Sequence, residues 1–268
     1  PFRGPKRPLD GPYTALLGGS ETFGRYVEKP FADLLEARIG EPVVNLGVMQ
    51  AGLTLLLDEP AIMNIASRAR VTVIQAMGPQ NMSNRFYRVH PRRNDRFLSA
   101  SDSLCALYPE IDFTEFHFTG HLLATLFDND PVRFRRVVDE LRTAWLSRMN
   151  FIVRKLQGET VLLWISGRAP DDDASLETGQ PPYFLDRKMI EAIAPHVGQI
   201  VEVVENEGGE KLTDMRFSQD ERDAALALPG AVAHQKIADK LAQVIAPLRI
   251  PQSELRNRGS LPPISMSG

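Results

Sequence analysis

The stretch "YTALLGGSETFG", Tyr13 to Gly24, decides how this chain is read. An apolar run stops at a glycine pair, a serine follows, and a helix-like segment begins. A short apolar run closed by glycines signals a buried strand. Ser20 then has two readings. It is the N-cap of a strand-to-helix turn, or a nucleophile held at the carboxyl end of a parallel strand.

The same rhythm repeats outward. Ser20 to Gly40 reads as a helix, with Val27, Phe31, Leu34, Leu35 and Ile39 at three- and four-residue spacing. Pro30 restricts its regular part to the residues that follow, and Gly40 closes it. Further strands are expected at "PVVNLGV" (42–48), "RVTVIQAMG" (70–78), "ETVLLWIS" (159–166) and "QIVEVVE" (199–205). Helices are expected near 60–69, over 131–156, over 183–194 and at "AHQKIADKLAQVIAPL". Trp145 falls on an apolar helix face and Trp164 in a strand, so both read as core.

Strands that alternate with helical crossovers lie parallel. The expected fold class is therefore α/β: a three-layer α/β/α sandwich, flavodoxin-like, with a mainly parallel five-stranded sheet. Residues 1–12 read as an extended arm, 13–250 as one domain and 251–268 as an irregular tail. Residues 82–130 read as an insertion after the third strand, a lid or a dimer contact. "GRAPDDDASLETGQPP" reads as a mobile polar loop with a solvated Asp171–Asp173 run. In such sheets ligands bind off the carboxyl ends of the strands. Ser20, "NLGVMQAG" and "GPQN" all fall at those ends.

Bulk properties exclude several classes. A formal charge of -3 and a pI near 6.0 give no global footprint for nucleic acid. No apolar stretch approaches the ~18 residues a membrane span needs. One cysteine, Cys105, forms no intrachain disulfide and reads as a buried small apolar side chain. The start lacks an apolar leader, so a cytoplasmic protein is expected. His117 and His121 are four apart, but "HFTGH" lacks the Glu of a zinc-hydrolase motif. No metal and no cofactor are expected.

At this point the motifs resemble the SGNH, or GDSL-like, hydrolases. "GGSETFG" is similar to that family's first block, "VVNLGVMQAG" to its second, "GPQN" to its third, and "AHQKIADKLA" to the helix after its last. "NRFYRVHPRRNDRF" and "DFTEFHFTGH" also resemble an uncharacterised bacterial family with this first block, which supplies no activity. The SGNH resemblance implies an α/β/α hydrolase with Ser20 as nucleophile. The Ser20 amide, a second-block glycine (Gly52 or Gly47) and the Asn81 side chain would receive the oxyanion. Gln50 falls in the same second block. Two departures stand out. Gly19 replaces the family's usual Asp, and the expected Asp-x-x-His is missing, its histidine position falling near Leu228. His234 is the nearest substitute base.

Arg85, Arg88, Arg92, Arg93 and Arg96, with His90, begin just after Asn81. Guanidinium groups recognise carboxylate, phosphate or sulfate by paired hydrogen bonds. One reading makes Arg85, Arg88, His90, Arg92 and Arg93 an anion-recognition set over the pocket. The other makes them a solvated loop. Three functions follow. The first is an esterase, deacetylase or acyltransferase on an anionic small molecule, with a glycan implied by the resemblance alone. The second is a binding protein that lost the base. The third is arginine-led sulfate or phosphate transfer. Oligomeric state, homodimer included, stays open.

Overall fold

The computed structural model describes residues 2–177, 179–205 and 211–248. The tail at 251–268 and the end of the domain at 249–250 lie outside them. Five strands form one parallel sheet: β1 (Thr14–Leu17), β2 (Val43–Asn45), β3 (Val71–Gln75), β6 (Glu159–Ser166) and β7 (Gln199–Val204). Their spatial order is β2-β1-β3-β6-β7. The order reverses between β1 and β3, which opens a crevice at the carboxyl ends of those two strands.

The strand side chains alternate between two cores. Leu16, Val73 and Leu163 face α2 (Phe31–Ile39) and α10 (Ala231–Ile245), the helix that follows the short α9 (Arg222–Leu226). Ala15, Leu17, Ile74, Leu162 and Trp164 face α3 (Leu53–Asp58), α4 (Pro60–Arg68), the second half of α7 (Pro131–Lys155) and α8 (Arg187–Ile193). Burial on both faces explains the near-continuous apolar strands. The expected three layers are present. Trp145 and Trp164 are fully buried in the second core, and the indole of Trp145 donates to the Met77 carbonyl (2.7 Å).

The expected helix from Ser20 is two elements: α1 (Ser20–Phe23), and α2, which follows Pro30. Gly24 and Gly40 end them with φ of 66° and 60°, the left-handed conformation that suits glycine. The insertion after β3 holds an antiparallel hairpin, β4 (Tyr87–His90) and β5 (Arg93–Ala100), which the sequence reading did not contain. Two helices follow, α5 (Asp102–Leu107) and α6 (Thr119–Asn129). Phe86, Tyr87, Phe97, Tyr108 and Phe116 pack there with Phe134, Val137 and Leu141 of α7 into a third core. Cys105 corrects its expectation. It is exposed on α5, because Leu104 takes the buried position of that short helix.

The arm at 2–12 is anchored. The Arg3 guanidinium donates to the carbonyls of Gly24, Val27 and Glu28, and Arg7 pairs with Glu36 and Asp33. Among the described residues no helix is long and apolar enough to cross a membrane.

Candidate functional site

A cleft of about 540 Å³ opens at the carboxyl ends of β1, β3, β6 and β7. Ser20, Gln50, Gln75, Asn81, Ser166 and Glu205 are among its lining residues. Its size suits a small molecule.

The turn carrying Ser20 is held from its neighbours. Gln75 ends β3 and is buried. Its Oε1 accepts from the Gly19 amide (3.0 Å) and from Thr22 Oγ1 (2.7 Å). Its Nε2 donates to Glu21 Oε2 (2.8 Å). A Cβ on Gly18 would lie 2.1 Å from Thr22 Oγ1 and 2.5 Å from Gln75 Oε1, so this network requires the glycine. Asn45 joins the second block to the first, donating from Nδ2 to the Thr22 carbonyl (2.9 Å).

Ser20 is not an N-cap. Gly19 holds that position, and no side chain caps α1. Instead Ser20 Oγ accepts from the Gln50 amide (3.0 Å). That bond leaves the hydroxyl proton free to be donated. Gln50 adopts φ 59°, an uncommon left-handed backbone for a non-glycine residue. Its carbonyl accepts from the Asn94 amide (3.1 Å).

Asn94 is the support that sequence reasoning missed. It sits at 0% exposure in β5. Its Oδ1 accepts from the amides of Gly52 (2.7 Å) and Leu55 (3.1 Å). Its Nδ2 donates to the carbonyls of His90 (2.9 Å) and Pro91 (3.3 Å). The hairpin is thereby fastened to the loop that orients Ser20. Embedded among arginines, this asparagine carries no sequence signal. Gln75 did carry one, as a polar residue closing an otherwise apolar strand.

These bonds correct Gly52. Its amide goes to Asn94, and that of Gly47 goes to Asn45 Oδ1 (2.9 Å). Neither glycine offers a donor to the cleft. Gly52 is there for close packing: a Cβ would lie 1.8 Å from the Asn81 carbonyl oxygen. Gly52→Ala is therefore expected to cost about 1–3 kcal/mol through forced backbone movement. A urea midpoint unchanged from wild type would contradict this.

Asn81 lines the cleft and its Oδ1 accepts from Thr119 Oγ1 (2.7 Å). Among the described residues no group takes the Asn81 Nδ2 protons or the Ser20 amide. Gln80 Oε1 is a buried acceptor without a partner.

His234 is corrected as well. It is 1% exposed on the inner face of α10. Its Nδ1 accepts from the Phe31 amide (3.0 Å), and its ring stacks on Phe31 at 5.6 Å. Burial, assisted by the nearby Arg3 cation, pushes its pKa down to about 3. It does not line the cleft. Neither do the other four histidines, and all five are described. Where the resemblance places the histidine, the cleft is lined by Leu226, Ala227 and Pro229.

The arginine set is also displaced from the cleft. Arg85 pairs with Glu140 (3.5 Å) and lies over Phe86. Arg88, Arg92 and Arg93 are exposed on the hairpin, and His90 Nδ1 accepts from the Arg92 amide (3.1 Å). None of them lines the cleft, and no residue of 82–130 does. The bonds of Asn94 turn the hairpin onto α3 rather than over the strand ends.

The described residues of the loop after β6 are joined by side-chain hydrogen bonds and an ion pair. Arg168, 5% exposed, stacks on Trp164 at 4.9 Å. It donates to the carbonyls of Ala169, Asp172, Gln180, Pro182 and Leu185. Asp171 pairs with Arg187.

A doubly wound parallel sheet with an oriented serine at its switch point defines an α/β protein with a cleft at the carboxyl ends of its strands. The chain belongs to the family described as a domain of unknown function (DUF6473), which matches residues 1–249. No curated protein matches it. Among solved structures, it is similar to the lipase Lip_vut3 from a goat rumen metagenome. The two are 17% identical with a TM-score of 0.41, over 86% of this chain and 96% of that one. It is also similar to a chain described as a GDSL-like lipase from Parabacteroides merdae. There the identity is 12% and the TM-score 0.43, over 89% of this chain and 96% of that one.

Proposed function

We propose that the cleft is a small-molecule site of serine-esterase type that lacks the histidine base. The ligand's carbonyl or acyl oxygen rests on the Ser20 amide and Asn81 Nδ2, and the Ser20 hydroxyl donates to the ligand rather than attacking it. The observation that carries this reading is the apolar lining at Leu226, Ala227 and Pro229, with all five histidines elsewhere. A serine hydroxyl needs a base to become a nucleophile. Loss of the histidine from such sites removes about 10⁶-fold in turnover and leaves what donors and binding alone supply.

A second reading, ester hydrolysis or acyl transfer at Ser20, is supported by the same two open donors. They are the groups an oxyanion requires. The proton acceptor would then be a group on the substrate or the cleft carboxylate Glu21. Sulfate or phosphate transfer led by the arginines has no support, since those arginines line no part of the cleft.

A fluorophosphonate probe separates the first two readings. Intact-mass analysis of wild type and Ser20→Ala is expected to show no adduct on either. A single adduct on wild type that disappears in Ser20→Ala would replace the binding reading with the catalytic one.

A further inference from the structure

The β4–β5 hairpin has one buried face and one open face. Tyr87, Val89 and Phe97 point into the third core. On the open face, the register shift between Arg88 and Val89 leaves Leu98 and Ser99 both exposed beside Arg88. Along the other edge of β5, Arg96 pairs with Phe118 in an antiparallel bridge, and its guanidinium lies 4.2 Å from the centre of that ring. Leu98 is 55% exposed and Phe118 43%. Arg92 and Arg93 are exposed at the hairpin tip. The chain carries a net charge of -3, yet residues 85–98 hold five arginines and a single acid, Asp95. Arg85 pairs with Glu140. Arg88, Arg92, Arg93 and Arg96 have no carboxylate within ion-pair distance among the described residues. The other acids near β5 are Asp112 and Glu115, at the turn that packs on it, and Asp112 accepts from Thr114.

We infer that this face docks on an anionic lipid surface, with Leu98 and Phe118 entering the headgroup layer and Arg88, Arg92, Arg93 and Arg96 meeting its phosphates and carboxylates. The shape of the face selects this partner. An extended peptide needs pockets for its alternate side chains, and single-stranded nucleic acid needs a series of stacking rings. The face offers a sheet surface with Phe118 as its one exposed ring. A bilayer presents a plane of negative charge over an apolar layer, which matches protruding apolar side chains flanked by arginines. The inference is independent of the proposed function, since no residue of this face lines the cleft.

Vesicle co-sedimentation of the full chain tests it. Vesicles of phosphatidylcholine with about 30 mol% phosphatidylserine are expected to bind the chain, and vesicles of phosphatidylcholine alone to leave it in solution. Binding is expected to fall steeply as NaCl rises from about 50 to about 300 mM. Each arginine lost from the surface weakens such binding about fivefold, so Arg88→Gln/Arg93→Gln is expected to weaken it about 25-fold. Leu98→Ser is expected to weaken it at least about threefold, with the salt dependence kept. All three positions are exposed, so the variants fold. Arg154→Gln/Lys188→Gln removes the same charge from exposed positions on α7 and α8 and is expected to bind like wild type. Equal binding to neutral and anionic vesicles, or an equal loss in that control, would overturn the inference. So would Leu98→Ser binding like wild type. Binding to polyuridylate or to polyglutamate with none to either vesicle would also overturn it, and would give the face to a nucleic acid or to an acidic protein instead.

Discussion

Acidification from pH 7 to pH 4 is expected to destabilise this protein by several kcal/mol through one side chain, His234. In the folded chain its pKa is pushed down to about 3, first by burial and then by the Arg3 cation. In the unfolded chain it returns to about 6.5. The unfolded state therefore takes up the proton first, and protonation pulls the equilibrium toward it. The contribution is fully present above pH ~6.5. It is lost progressively as the pH falls toward about 3, at roughly 1.4 kcal/mol per pH unit and about 5 kcal/mol in all. Carboxylates titrate in the same window, so the variant carries the test. His234→Gln keeps an acceptor for the Phe31 amide and cannot be protonated. Urea midpoints between pH 7 and pH 4 are expected to fall less steeply for His234→Gln than for wild type. Parallel profiles would remove His234 as the source. The same neutral, buried imidazole is why this histidine serves the core and not the cleft.

Replacing Asn94 is expected to give the largest loss from a single residue of the insertion. Asn94→Leu removes four hydrogen bonds. It leaves the amides of Gly52 and Leu55 and the carbonyls of His90 and Pro91 without the partners they had. Each buried group left unsatisfied costs about 1–3 kcal/mol. Partial relaxation and water entry bring the expected total to roughly 3–5 kcal/mol. Arg93→Ala, at the exposed neighbouring position, is expected to stay within about 0.5 kcal/mol of wild type. If Asn94→Leu were as stable as Arg93→Ala, the hairpin would not be fastened by this side chain. The effect also reaches the cleft, because the Asn94 amide bonds the carbonyl of Gln50, whose own amide orients Ser20.

The layered sheet was legible because its signals are local. Strands β1, β3 and β6 are short apolar runs punctuated by glycine or polar residues. The 25-residue α7 shows its buried face at helical spacing, from Phe134 through Trp145 to Val153. The hairpin was not legible. Its alternation is broken by register irregularities around Val89, and its buried faces are matched to α5, α6 and α7 rather than to the main sheet. Arg168 was equally hidden. A single arginine in a polar loop looks solvated until five carbonyls are seen to converge on it.

By itself the sequence determined the alternation of strands and helices, hence parallel strands with helices on both sides, and the placement of Ser20 and Asn81 at strand ends. Periodicity and turn chemistry act over a few residues, and these features need nothing more. Only the tertiary structure decided which groups face the cleft. It sent the Gly52 amide to Asn94, buried His234 against Phe31, turned the arginines away on the hairpin, and folded the Arg168 guanidinium onto the carbonyls of its own loop. Those outcomes depend on contacts between residues far apart in the chain. A side chain's charge, donors and exposure become defined only when the distant partner that takes them up is in place.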